Sequence, residues 1–155
     1  MNSLHVAINL IVETGTEVST DEERLGALVR FALSEERAIC HWEIAVVLTT
    51  DHRMRDLHRE FMGIDSETDV MTFPTEPIEG EFTSGGDIVI SVDRAAEQGI
   101  EFGHSCEQEI EYLIVHGVLH LCGWDDRDDI DRERMLNRQD ELIKRFNSSW
   151  PQLFA

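Results

Sequence analysis

The feature that most constrains this chain is the segment SCEQEIEYLIVHGVLHLCG, residues 105–123. Ser105 with Gln108 three residues on is a capping-box signature, the mark of a helix start. Behind it runs the longest apolar stretch of the chain, residues 110–122, which Gly123 then stops. A fold for this sequence has to be arranged around that helix. After Glu111 near its start, two polar side chains interrupt it, His116 and His120. Four residues are about 400° of helical rotation, so both imidazoles leave one face, one turn apart. That spacing is how a helix offers two nitrogen ligands to a single metal ion. Asp125 and Asp126 follow the glycine directly. A carboxylate arriving from a loop completes a three-ligand set and leaves a position open for water or substrate. Packed, hydrogen-bonded core histidines are the plainer alternative, and they account better for one such residue than for two. The zinc-peptidase pattern puts a glutamate after the first histidine, where this chain has Gly117, which cannot act as a base, and that argues against a peptidase of that type.

Around this helix, strand and helix signals alternate. Residues 5–12 alternate as a strand does. Thr20 with Glu23 forms a second capping-box pattern, followed by Leu25, Leu28, Val29, Ala32 and Leu33 at helical spacing. Residues 42–48 (WEIAVVL) read as a buried strand. Asp51 is placed to cap a short helix through Met54, Leu57 and Phe61 that ends near Gly63. Residues 69–74 and 86–91 read as two strands of a long hairpin joined by a polar loop. Ser91 is placed to cap a short helix to about residue 98. After the acidic run DDRDDID, a last amphipathic helix reaches about residue 147 through Met135, Leu142, Ile143 and Phe146. The expected architecture is α+β: a single domain over residues 1–155, with few strands flanked by helices.

Composition narrows the class. A chain of 155 residues, 41% hydrophobic and 29% charged, is a folded domain rather than a disordered one. No stretch approaches the roughly 20 apolar residues of a membrane helix. The opening MNSLHVAINLIVETG lacks the basic flank and small-residue cleavage site of a signal peptide. Cys40, Cys106 and Cys122 are odd in number and far apart, which favours reduced thiols. A cytoplasmic protein without a membrane partner is expected. Its net charge is −19, spread evenly, with 6 basic against 15 acidic residues over 1–77 and 7 against 17 over 78–155. Such a field repels polyphosphates at long range, although a local cleft or bound cation can outweigh it.

HGVLHLCGWDD, together with TDVMTFP and GDIVIS upstream, resembles the YbeY family of endoribonucleases, the bacterial ribosomal-RNA maturation factors. The family pattern is HGxLHLxGYDH, preceded by YRxxDxPTDVLSFP and GDIVIS, and the likeness runs in order over about residues 43–140. It implies a mixed four-stranded sheet flanked by helices and one zinc site at the long helix. It further implies cleavage of single-stranded RNA in maturing the 3′ end of small-subunit ribosomal RNA, with that RNA and the small subunit as partners. The metal ligands then fall on His116, His120 and Asp126, the last replacing a histidine in most of the family. Two imidazoles and one carboxylate suit zinc, and also iron, manganese or nickel.

Other positions follow from the same likeness. Asp125 is expected to orient a ligand histidine. Asp87 either does the same or simply ends its strand. Asp128 and Asp129 stand as substitute ligands, or as a solvated helix start. Cys122, about 200° around the helix from His120, should face away. The family's phosphate-contacting arginine falls on Met62, its asparagine four positions earlier on His58, and its proline before TDV on Glu67. Arg59, three residues before Met62, projects near the same helix face and is the candidate replacement. It reads equally as a solvated surface residue. The resemblance thus points to a metal-dependent endoribonuclease. The alternatives are a non-catalytic ribosome-assembly factor whose metal only holds the fold, and a metallohydrolase for a small molecule.

Overall fold

The computed structural model describes residues 3–76 and 83–152, so the tip of the expected hairpin loop and both chain ends lie outside the described residues. Its elements are β1 (Leu4–Val12), α1 (Glu22–Glu35), β2 (Cys40–Thr49), α2 (Asp51–Met62), β3 (Val70–Pro74), β4 (Thr83–Ser91), α3 (Val92–Phe102), α4 (Cys106–Leu121) and α5 (Asp129–Ser149). The strands form one sheet in the order β1-β2-β4-β3. β1 runs parallel to β2 and β2 to β4, while β3 returns antiparallel to β4. The mixed four-stranded α+β architecture expected from the sequence is the one observed.

The two central strands carry the core. Ile44, Val46 and Leu48 of β2 and Ile88 and Ile90 of β4 are all buried in one cluster. Leu28, Val29 and Leu33 of α1 and Ile110, Ile114 and Val118 of α4 belong to the same cluster. Each such side chain contributes about 1.5–3 kcal/mol by leaving water. Gly117 sets how closely α4 approaches the sheet, because a Cβ there would stand 2.6 Å from Ile88 Cγ2. That close approach fixes the depth at which the neighbouring His116 lies. A smaller cluster of Met54, Met71 and Val89 packs α2 against β3 and β4.

Several helix ends differ from the expected ones. Asp21, not Thr20, caps α1, accepting from the Arg24 amide at 3.1 Å. Thr50, not Asp51, caps α2. In each case two good capping residues are adjacent, and the extended backbone falls on the second at α1 and the first at α2. Asp51 instead accepts from Ser91 Oγ at 2.6 Å and from the Arg94 guanidinium. α2 does end at Gly63, whose φ of 69° is the left-handed cap a glycine adopts freely. The capping box of α4 is present in both directions, with Gln108 N donating to Ser105 Oγ and Ser105 N to Gln108 Oε1.

The expected long apolar helix is corrected. α4 has 16 residues against 21 in α5, and Glu107, Gln108, Glu109 and Glu111 make its first half polar. The capping box starts the helix four residues before the apolar run. Among the described residues, no helix is long and apolar enough to cross a membrane.

Candidate metal centre

The last turns of α4 present His116 Nε2 and His120 Nε2 to each other at 3.0 Å. The loop after Gly123 brings Asp126 Oδ2 to 3.6 Å from the first and 3.5 Å from the second. Ligand atoms of these three residues all lie within 4.8 Å of one another, a convergence found nowhere else among the described residues. The loop is held from outside. The Trp124 indole donates to Glu36 Oε1 at 2.6 Å, and the Arg138 guanidinium donates to Glu36 Oε2 at 2.7 Å. Glu36 thus ties the end of α1, the metal loop and α5 together.

The hydrogen bonds behind the imidazoles decide their chemistry. His120 Nδ1 lies 3.0 Å from the Trp124 carbonyl oxygen, which can only accept. The proton of a neutral ring is therefore on Nδ1, and Nε2 keeps its lone pair. His116 Nδ1 lies 2.8 Å from Gln139 Oε1, with the same consequence. Burial pushes the His116 imidazole below its usual value, which favours the neutral ring. Two lone pairs and a carboxylate oxygen then face a common point, an arrangement that repels itself and that a cation relieves. A tetrahedral ion with ligand distances of about 2.0–2.2 Å has ligand–ligand edges of about 3.3–3.6 Å. The observed triangle of 3.0, 3.5 and 3.6 Å is close to such a face. The residues fit a divalent metal.

The other candidate residues lie elsewhere. Asp125 does not orient a histidine; its carboxylate pairs with the Arg127 guanidinium at 3.1 Å and accepts from the Arg127 amide. A charged neighbour two residues away captures it. Asp87 is exposed in mid-strand, in register with Ala45 and Phe73, and touches neither histidine. Asp128 caps α5 and Asp129 pairs with Arg132, so neither joins the site. Cys122 packs against the main core, where burial pushes its thiol up to about 11.

The cleft in front of the metal group has a volume of about 530 Å³. His58, Phe61, Met62 and Asp69 line it together with His116 and His120. Arg59 lies outside that lining, exposed and paired with Asp56 at 2.8 Å and Asp65 at 3.5 Å. Sequence reasoning missed Gln139 and the Trp124 carbonyl. Gln139 left a signal: it occupies a buried position in the α5 stripe of Met135, Leu142 and Phe146, where an apolar residue is expected.

Residues 11–147 match the family profile described as "Endoribonuclease YbeY". The chain is similar to proteins of that name from Clostridium beijerinckii (34% identity over 81% of this chain and 87% of the relative) and Desulfitobacterium hafniense (37% over 84% and 85%). A third, from Lachnoclostridium phytofermentans, shares 36% identity over 89% of this chain and 97% of its own. The solution structure of a Thermotoga maritima protein superposes with a TM-score of 0.61 at 23% identity, covering 93% of this chain and 91% of that one, and shares the fold.

Proposed function

Because this chain belongs to the endoribonuclease YbeY family, we propose that it hydrolyses RNA phosphodiesters in the cleft between α2, β3 and the end of α4. The observation that carries this reading is the convergence of His116, His120 and Asp126 at the wall of that cleft. These three residues would hold one divalent ion, and the nitrogen-rich donor set favours zinc. A bound ion supplies Lewis acidity toward a phosphoryl oxygen and lowers the pKa of a coordinated water toward neutrality.

The chain's own residues do the positioning. Gln139 Oε1 and the Trp124 carbonyl fix both imidazole tautomers and aim both Nε2 atoms at one point. Asp126 adds the negative charge that the family's histidine would not. For the substrate phosphate we assign Arg59, on the same α2 end as the cleft-lining Met62. Its present partners are exposed carboxylates, whose attraction water and salt screen. A charge-assisted pair to a phosphate is stronger, at about 1.5–3 kcal/mol, so exchange toward bound RNA is favourable. The substrate of this reading is small-subunit ribosomal RNA, handled at its 3′ end on the subunit, in the cytoplasm.

The test is cleavage of single-stranded and structured ribosomal RNA fragments by the purified chain before and after chelation. Cleavage should disappear with chelator and return on adding zinc. Undiminished cleavage by the His116→Ala/His120→Ala double variant would contradict the reading. A second reading, an assembly factor with a structural metal, is favoured by Met62, an apolar side chain where the family carries its arginine. On that reading chelation lowers the melting temperature while RNA stays intact in every condition.

A further inference from the structure

Beyond the metal cleft lies a second, larger groove of about 1120 Å³, walled by α3, α4 and α5. The two cavities share Asp69, Val70 and His116, so the groove opens on the back of the metal group. Its lining divides by chemistry. Leu113, Leu136 and Ile143 supply an apolar floor, and Phe102, 61% exposed at the end of α3, supplies an aromatic wall. The cation of the groove is Lys144, the only lysine of the chain. Eight of the twelve arginines are tied to carboxylates, but no ion pair engages Lys144 among the described residues. Of the cations outside any ion pair among the described residues, Lys144 is the one on this groove.

Resting on the RNA-cleaving reading above, we infer that this groove takes the nucleotide next to the scissile phosphate. Its base lies on the apolar floor against Phe102, and its distal phosphate is held by Lys144. The charge pattern selects this occupant. One cation matches one phosphate, whereas the carboxylates of Asp69, Glu109 and Asp140 repel further phosphates. Those carboxylates can accept hydrogen bonds from the amino and ring N–H groups of a base. Asp69 already accepts one such bond from Gln98 Nε2 at 3.2 Å, which shows its acceptor face turned to this side. An aromatic face beside a single positive charge is the arrangement by which single strands are held without duplex geometry.

The experiment measures binding of a fluorescein-labelled single-stranded RNA of about eight nucleotides to the full chain. Chelator is present throughout so that the strand stays intact, and salt is varied. Phe102→Ala removes the aromatic face on which one base stacks and should weaken binding about tenfold. Lys144→Ala should weaken binding several-fold and reduce the salt slope by about 0.7, the loss of one phosphate contact on a single strand. Arg30→Ala, beside β1 and outside the groove, should change neither. Zinc affinity should be unaltered in both groove variants, which separates this site from the metal. Wild-type RNA affinity in either Phe102→Ala or Lys144→Ala would overturn the assignment and leave the groove to a protein partner. Failure of the unaltered chain to bind RNA would overturn the functional reading itself.

Discussion

The two walls of the metal cleft are built differently. The α4 wall is half-buried and over-determined: His116 and His120 are each fixed by a second hydrogen bond, and the loop carrying Asp126 is tied through Trp124 to Glu36 and Arg138. The α2 wall is exposed and apolar at its tip, with Phe61 58% and Met62 62% accessible. Its polar groups engage local partners, His58 Nδ1 lying 3.0 Å from the Ser66 carbonyl oxygen and Arg55 donating to Asp65 at 2.9 Å. The wall proposed to bind metal is preorganised, whereas the wall proposed to meet substrate is soft and carries Met62 where the family pattern has arginine. Metal affinity should therefore be sensitive to buried hydrogen bonds, and turnover to charge on α2.

The largest effect should come from breaking the rigid wall behind the ligands. Gln139→Leu removes the acceptor for His116 Nδ1 and should lower zinc affinity about 10–100-fold, while Gln139→Glu should retain it. Equal affinity in Gln139→Leu, read by competition with a chromophoric chelator, would show that the α4 wall needs no such support.

The soft wall should respond next, and in both directions. Met62→Arg restores a guanidinium at the cleft lining and should raise kcat/KM for RNA about tenfold. Arg59→Ala should lower it by a similar or smaller factor without changing the melting temperature. If neither variant moves cleavage, the α2 wall does not meet the phosphate.

Asp126→His tests the junction between the walls. It should raise zinc affinity several-fold, because imidazole is a good zinc donor at the same backbone position. Weaker binding in a titration would mean that the loop has adapted to a carboxylate.

The smallest effect lies outside the comparison, in the polar first half of α4. Glu109 is 5% exposed, and burial pushes its carboxyl above the usual range. The folded state thus holds this proton to higher pH than the unfolded one, and its contribution to stability falls as pH rises through the folded value. Glu109→Gln should stabilise the chain by up to about 1 kcal/mol at pH 7, or about 2–4 °C in melting temperature. Well below the ordinary carboxylate range the difference should vanish, because both states are then protonated. A gain of the same size at both pH values would assign it to packing instead.

The division between walls also explains what the sequence made legible. Apolar patterning together with cap and turn signals located every strand and helix of the sheet and its cover, although α3, read from its cap Ser91 alone, runs on past residue 98 to Phe102. The spacing of His116 and His120 forecast a shared helix face, whereas the choice of Asp126 over its neighbour Asp125 came from the family resemblance and not from spacing. Helix caps were harder: Thr20 and Asp21, or Thr50 and Asp51, are chemically equivalent choices that the backbone decides. Gln139 was hidden for another reason. It lies 23 residues from His116, on a different helix, and only tertiary packing joins them. Asp125 misled because its sequence neighbour Arg127 engages it locally, which no motif encodes.

Calorimetric titration of zinc into the chelator-treated chain, alongside the His116→Ala/His120→Ala double variant, tests the central claim most directly. One ion per chain should bind the unaltered protein, and affinity should fall at least 100-fold in the folded double variant, since removing a ligand costs more than removing its supporting bond. Binding of one ion with equal affinity by the double variant would place the metal elsewhere and contradict the account.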